Sequence, residues 1–334
     1  MELRFIGCAV LLAAGCAGDI QGGDDDGPDG GGGAASIAIT SPLPGFSATR
    51  DQLSDLGTLI APVSAEAETT GAIERVVFEV GGVAVADLAT PPWTTALELD
   101  QLGAQTVIAI GYDAADTELA RAEVAVSVVD PELADCHAWL DLYGLDYVVG
   151  PDNQGVPDPV TVTTPINGMV HRYVSNTSPR TTFFMDCTLA RSLAQAAPML
   201  RRRGVVETAD IGVYNYRCIG GGTPPDCPNG ISQHAYAKAI DIAGFTTTDD
   251  TWYSVNDDWI IDPDSEDTCA APTDGAKDTF LHDTICELKA AGVWNIVLTP
   301  NYNSDHRNHF HVDLTPSADF IEYGPLVDSG PDLH

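Results

Sequence analysis

The sequence predicts a multidomain chain, with an all-β sandwich over residues 36–130 followed by an α+β domain over residues 131–320. Three observations carry this. The 334 residues are 44% hydrophobic and 19% charged, enough apolar material for two cores at roughly 150 residues per domain. Residues 36–130 alternate apolar and polar positions with a period of two and contain no cysteine. From Pro131 onward, helical spacing appears among short apolar segments, together with six cysteines. The charge balance, 15 Lys+Arg against 49 Asp+Glu for a net −34, repels phosphate backbones and excludes nucleic acid as a partner.

Met1 to Cys16 reads as an export signal: Arg4 precedes the apolar run Phe5 to Leu12, then small residues lead to Cys16. The run falls well short of the roughly 20 residues that span a bilayer. Leu12-Ala13-Ala14-Gly15-Cys16 resembles the lipobox of bacterial lipoproteins, with the leucine one place further out than usual. That resemblance implies a lipid on Cys16, a membrane anchor and, with Ala17 following, an outer-membrane lipoprotein of the cell envelope. Residues 17–35 hold 8 Gly and 5 Asp, the composition of a solvated linker.

In the sandwich, Val76, Phe78 and Val80 alternate with Val77 and Glu79, and Ala122 to Val128 alternate with Arg121 to Ser127. Further β-rich runs are Ser36–Thr40, Gly57–Pro62, Trp93–Glu98 and Thr106–Tyr112, separated by turns such as Gly81-Gly82 and Pro91-Pro92. The stretch from Ile73 to Gly82 with Pro91-Pro92-Trp93 resembles bacterial immunoglobulin-like modules. It has no cluster of His, Cys or paired carboxylates, so it implies spacing or adhesion rather than chemistry.

In the second domain, Asp186 is a helix N-cap before Thr188–Arg203. Leu189, Leu193, Ala196, Ala197 and Leu200 recur at helical spacing, and Gly204 is the stop. A second helix is predicted over Asp278–Ala291, and short apolar segments at Asp210–Tyr216, Ala239–Phe245, Trp294–Leu298 and His309–Leu314 supply strands. Residues 321–334 form a tail. Cys136, Cys187, Cys218, Cys227, Cys269 and Cys286 predict three disulfides in an oxidising compartment; no CxxC pair favours a thiolate zinc site, and spacing leaves the pairing open.

His137, His171, His282 and His334 stand alone, whereas His306-Arg307-Asn308-His309-Phe310-His311 is a cluster. A strand from His309 puts His309 and His311 on one face, with Phe310 and Val312 behind. A strand over Ala239–Ala243 aims Asp241 to the side of two alanines. Two imidazoles and a carboxylate on two strands, with His234 before the second, suit a catalytic zinc with three protein ligands and an open position.

Ser232-x-His234-x-x-x-x-Ala239-x-Asp241 with a distant His309-x-His311 resembles the zinc D-alanyl-D-alanine carboxypeptidase and Hedgehog-like peptidase superfamily. Tyr216-Arg217-Cys218, Pro300-Asn301-Tyr302-Asn303 and His306 to Asp313 bring it closest to the extensin-like C-terminal domain. The resemblance implies Zn2+ on His234, Asp241 and His311, His309 as general base, Arg217 as a carboxylate or oxyanion anchor, and Ser232 in the pocket. It further implies a metallopeptidase acting on peptidoglycan stem peptides, cross-links or another cell-wall peptide; the alternative is a non-catalytic, zinc-stabilised wall-binding or adhesion module. Ala237 replaces a glycine of that pattern, which bears on the pocket floor. Positions matching Cys136, Cys187, Cys218 and Cys286 are retained in that family, which leaves Cys227 to pair with Cys269.

Overall fold

The computed structural model describes residues 34–262 and 268–321. The signal segment with Cys16, the linker up to residue 33 and the tail beyond residue 321, His334 included, lie outside the described residues. Among the described residues, no helix is long and apolar enough to cross a membrane.

The first unit is built from β1 (Ser36–Ser41), β2 (Ser47–Thr49), β3 (Gln52–Leu53), β4 (Leu59–Thr70), β5 (Arg75–Val80), β6 (Val83–Leu88), β7 (Trp93–Leu99), β8 (Gly103–Tyr112) and β9 (Glu118–Val129). One sheet joins β1, β4, β3 and β7; the other runs β2-β9-β8-β5-β6. The period of two decides which side chains meet between them. Along β4, Ala61, Val63, Ala65 and Ala67 are buried, while Ser64, Glu66 and Glu68 face solvent. These residues enclose a core with Phe78, Trp93, Val107 and Val126.

The second unit continues with α1 (Cys136–Leu142), β10 (Tyr147–Val149), β11 (Pro159–Thr163), β12 (Val170–Tyr173), β13 (Thr182–Asp186), α2 (Cys187–Arg202) and β14 (Val205–Gly212). It ends with β15 (Ala239–Thr247), β16 (Trp252–Ser254), α3 (Val255–Asp258), α4 (Ala276–Ala290), β17 (Ile296–Leu298), β18 (Phe310–Asp313) and β19 (Phe320–Ile321). A small sheet orders β10-β11-β13. The main sheet runs β12-β14-β15-β18-β17-β19, and β16 extends the second half of β15. Asp186 caps α2 by accepting from the Thr188 backbone N–H, and Gly204 follows the helix in the left-handed region. The predicted stripe of Leu189, Leu193, Ala196, Ala197 and Leu200 is buried in a core that includes Phe245, Phe310 and Trp294. Leu59 of the sandwich belongs to that same core, and Asn167 Nδ2 donates to Gly57 O and to Ala194 O, tying the units together.

The disulfides join Cys136 to Cys187, Cys218 to Cys227 and Cys269 to Cys286. All six cysteines are thus paired, but the expected Cys227–Cys269 bridge is wrong. The segment after Cys218 folds back on itself: Cys218 N–H donates to Gly222 O, Ile219 N–H to Gly230 O, and Cys218 bridges Ile231. This brings the Cys227 and Cys218 Cα atoms within 5.2 Å, so Cys227 is taken locally. Cys269 meets Cys286 of α4 instead.

Candidate metal centre

The site begins with a 3₁₀ turn, Gln233–Tyr236. Its N-cap Ser232 accepts from the His234 backbone N–H through its hydroxyl, and Ala237 closes it at φ +51°. Ala237 therefore holds the left-handed backbone that a glycine would supply, so the chain enters β15 with Asp241 aimed as a glycine-bearing turn would aim it. Asp241 stands directly across from His311 in the β15–β18 pairing. The predicted strand from His309 begins one residue later, at Phe310, yet the His309 ring still reaches the same carboxylate.

Three atoms converge. His234 Nε2 is 3.1 Å from Asp241 Oδ1 and 3.1 Å from His311 Nδ1, and His311 Nδ1 is 3.0 Å from Asp241 Oδ1. Ligands at zinc distances on a tetrahedron lie about 3.3 Å apart, so this triangle is close to one face of such a polyhedron. The outer nitrogens fix the tautomers. His234 Nδ1 donates to the Val213 carbonyl at 2.7 Å, and His311 Nε2 donates to Asp313 Oδ2 at 3.1 Å. Each ring is thereby left with a lone pair facing Asp241, the arrangement in which an outer partner orients a ligating histidine. Two lone pairs and a carboxylate in van der Waals contact repel one another unless a positive charge sits among them.

The electrostatics agree. Burial works against charge on His311, but hydrogen bonds to Asp241 and Asp313 outweigh it and raise its pKa to about 9. Burial likewise opposes charge on Asp241, and the two histidines still hold its carboxyl well below the usual carboxylate range. Without a metal, a proton on His311 neutralises the triangle; a divalent cation suits the same donor set. Among the described residues, the other close set of ligand types, Cys136, Cys187 and Asp158, has its two sulfurs joined to each other.

His309 donates from Nδ1 to Asn308 Oδ1 at 2.8 Å, which leaves Nε2 basic and 3.5 Å from Asp241 Oδ1. Burial lowers its pKa, keeping the ring neutral. A cleft of about 340 Å³ opens beside His311 and is lined by Arg217, Ser232 and Gln233 on one side. The Arg217 guanidinium makes no hydrogen bond or ion pair among the described residues. Two residues were not singled out from sequence. Asp313 anchors His311 and continues the same period of two, which was the signal for it. His306 is buried with its ring 5.1 Å from that of His309 and 5.8 Å from that of His311. Its membership of the histidine cluster was the hint.

Among solved structures, the chain is similar to fibronectin(III)-like modules of Clostridium thermocellum CbhA, at 18% identity and a TM-score of 0.23, over 29% of this chain and 99% of that one. It is also similar to a Parabacteroides merdae beta-glucuronidase, at 12% identity and a TM-score of 0.21, over 38% of this chain and only 14% of that one. Likenesses at this level carry no functional argument. No curated protein matches the chain. Residues 153–321, just over half of the sequence and the whole of the site, match the family described as extensin-like protein C-terminus. With the histidines, the aspartate and the cleft all inside that match, the chain belongs to the extensin-like C-terminal family.

Proposed function

We propose that the centre holds one zinc ion through His234 Nε2, Asp241 and His311 Nδ1, and that the protein is a metallopeptidase of the D-alanyl-D-alanine carboxypeptidase and Hedgehog-like type. The observation that carries this is the pair of outer hydrogen bonds, to Val213 O and Asp313, which turn both ring lone pairs inward onto one carboxylate. Bound there, zinc supplies Lewis acidity and a water of lowered pKa. The chain supplies the rest. Arg217 offers an uncommitted guanidinium to a substrate carboxylate or a developing oxyanion, in a cleft it shares with His311. His309 Nε2, basic because Nδ1 is engaged by Asn308, takes and returns the proton. Cell-wall peptide is the substrate that the superfamily likeness suggests, and Cys16 would tether the protein to the envelope through lipid.

The test separates hydrolase from binding module. His234→Ala should lose zinc. His309→Ala should keep one zinc per chain and the fold while hydrolysis of cross-linked peptidoglycan falls by roughly 100-fold or more. Wild-type protein that holds zinc but releases nothing from muropeptides would establish the wall-binding reading instead.

A further inference from the structure

We infer that the cleft beside the metal ligands receives the C-terminal residue of a peptide with a bulky apolar side chain, its carboxylate on Arg217 and its side chain on a shelf formed by Leu298, Ile296 and Phe320. The inference rests on the peptidase reading for its orientation and replaces the alanine-ended substrate of that reading with a peptide ending in a larger apolar residue.

The shelf follows from strand register. Leu298 is paired with His311 and Ile296 with Asp313 across β17–β18, and Phe320 is paired with Ile296 across β17–β19. Cross-strand partners share a face, at a strand spacing of about 4.8 Å, so these three residues continue outward from the ligand His311 on its own face of the sheet. Val297, between the two shelf residues of β17, points the other way and is fully buried in the core. The core is therefore served without Ile296 and Leu298, which remain partly open, and Phe320 is 39% exposed. Ile219, on the loop closed by Cys218 and Cys227, and Ile231, which bridges Cys218, add apolar lining to the same cleft. Apolar side chains from both segments thus line the cavity beside His311.

Arg217 supplies the charge. It immediately precedes Cys218, lines the same cleft, and makes no ion pair or hydrogen bond among the described residues, in a chain with 15 cations and 49 anions. A guanidinium with no partner among the described residues, amid such an excess of carboxylates, is available to an external one. An alanine methyl would cover little of a cavity of about 340 Å³. Each further buried methylene strengthens binding roughly fourfold, so a leucine or phenylalanine side chain should gain roughly 30-fold or more over alanine.

The experiment measures binding to zinc-loaded, full-length His309→Ala protein, with peptide integrity checked by mass spectrometry. Probes are N-acetyl-alanyl-alanine, -leucine and -phenylalanine as free acids, each with L and D terminal residues, and the leucine amides. The leucine and phenylalanine acids of one configuration should bind roughly 30-fold tighter than the alanine acid, and the amide should lose most of that affinity. Phe320→Ser, at an exposed position, should narrow the gap, and Leu298→Ser with Phe320→Ser should close it; Arg217→Gln should abolish the preference for acid over amide. Equal binding of alanine and leucine acids, no binding of any acid, or a gap unchanged in Phe320→Ser overturns the inference. Preferential binding with no turnover by wild type supports the inference and refutes the hydrolase. Turnover of peptidoglycan with no side-chain preference does the reverse.

Discussion

His171 lies in β12 opposite Thr208 of β14, fully buried, and neither ring nitrogen nor the Thr208 hydroxyl has a hydrogen-bond partner among the described residues. Burial first, and the nearby Arg180 cation second, lower its pKa to about 3. Below the unfolded value near 6.5, the unfolded chain takes up a proton that the folded chain refuses. Stability therefore falls as pH drops from about 6.5 toward 3, by about 2 kcal/mol at pH 5 from this residue alone. Replacing it with phenylalanine (His171→Phe) should flatten that part of the curve, measured as the difference in denaturant stability between pH 7.5 and 5. An unchanged pH slope would show that His171 is solvated. The sequence set His171 aside as a lone histidine, and it lies in β12, outside the His234–Asp241–His311 triangle. Nothing in its neighbours announced that it would be buried without a partner, because that depends on a parallel pairing with a strand 37 residues later.

Ala237 carries an element-scale tension. A Cβ in the left-handed region costs about 1–2 kcal/mol, and the buried methyl returns about 0.8 kcal/mol. Ala237→Gly should therefore leave the thermal midpoint unchanged or raise stability by up to about 1 kcal/mol. A loss greater than that would mean that packing of the methyl dominates. Helix α2 was legible because its apolar residues recur over three turns between the Asp186 cap and Gly204; α4 has no side-chain cap, and Leu281, Ile285 and Leu288 before Gly292 marked it. The small sheet of β10, β11 and β13 was not, since strands of three to five residues leave too few alternations to read. Strand β4 runs eight residues past the predicted Gly57–Pro62 because Ala65-Glu66-Ala67-Glu68, good helix formers by composition, alternate with the period of a strand. The His234–Asp241–His311 triangle was legible in part for the opposite reason: alternation within β15 and β18 sets the faces of Asp241 and His311.

At the scale of the whole molecule, every described cysteine lies in the second unit and none in the sandwich. On the chain-entropy account, loops of 51, 9 and 17 residues stabilise by about 4, 2.6 and 3 kcal/mol. Reductant should thus lower the calorimetric transition of residues 131–321 and leave that of the sandwich in place. A joint fall would show that Leu59 and Asn167 couple the two units into one cooperative block. Disulfide partners escaped the sequence because a bridge within nine residues is set by a turn, and that turn depends on Gly220 to Gly222 at positive φ. Attachment belongs to this scale too. Replacing Cys16 with serine should release the protein from the membrane fraction of its host, and a wild type already wholly soluble there would refute the anchor.

Asp241 and His311 face each other across two strands although 70 residues separate them in the chain. His234 and Asp241 lie only seven residues apart, but the third donor is distant in the chain, so the complete chelate would form only after a long loop had closed and β18 had docked. Free zinc at 100 times its dissociation constant would then add about 2.7 kcal/mol to the native state. Zinc supply during export would set how much of the protein survives proteolysis on the way, before it meets any substrate.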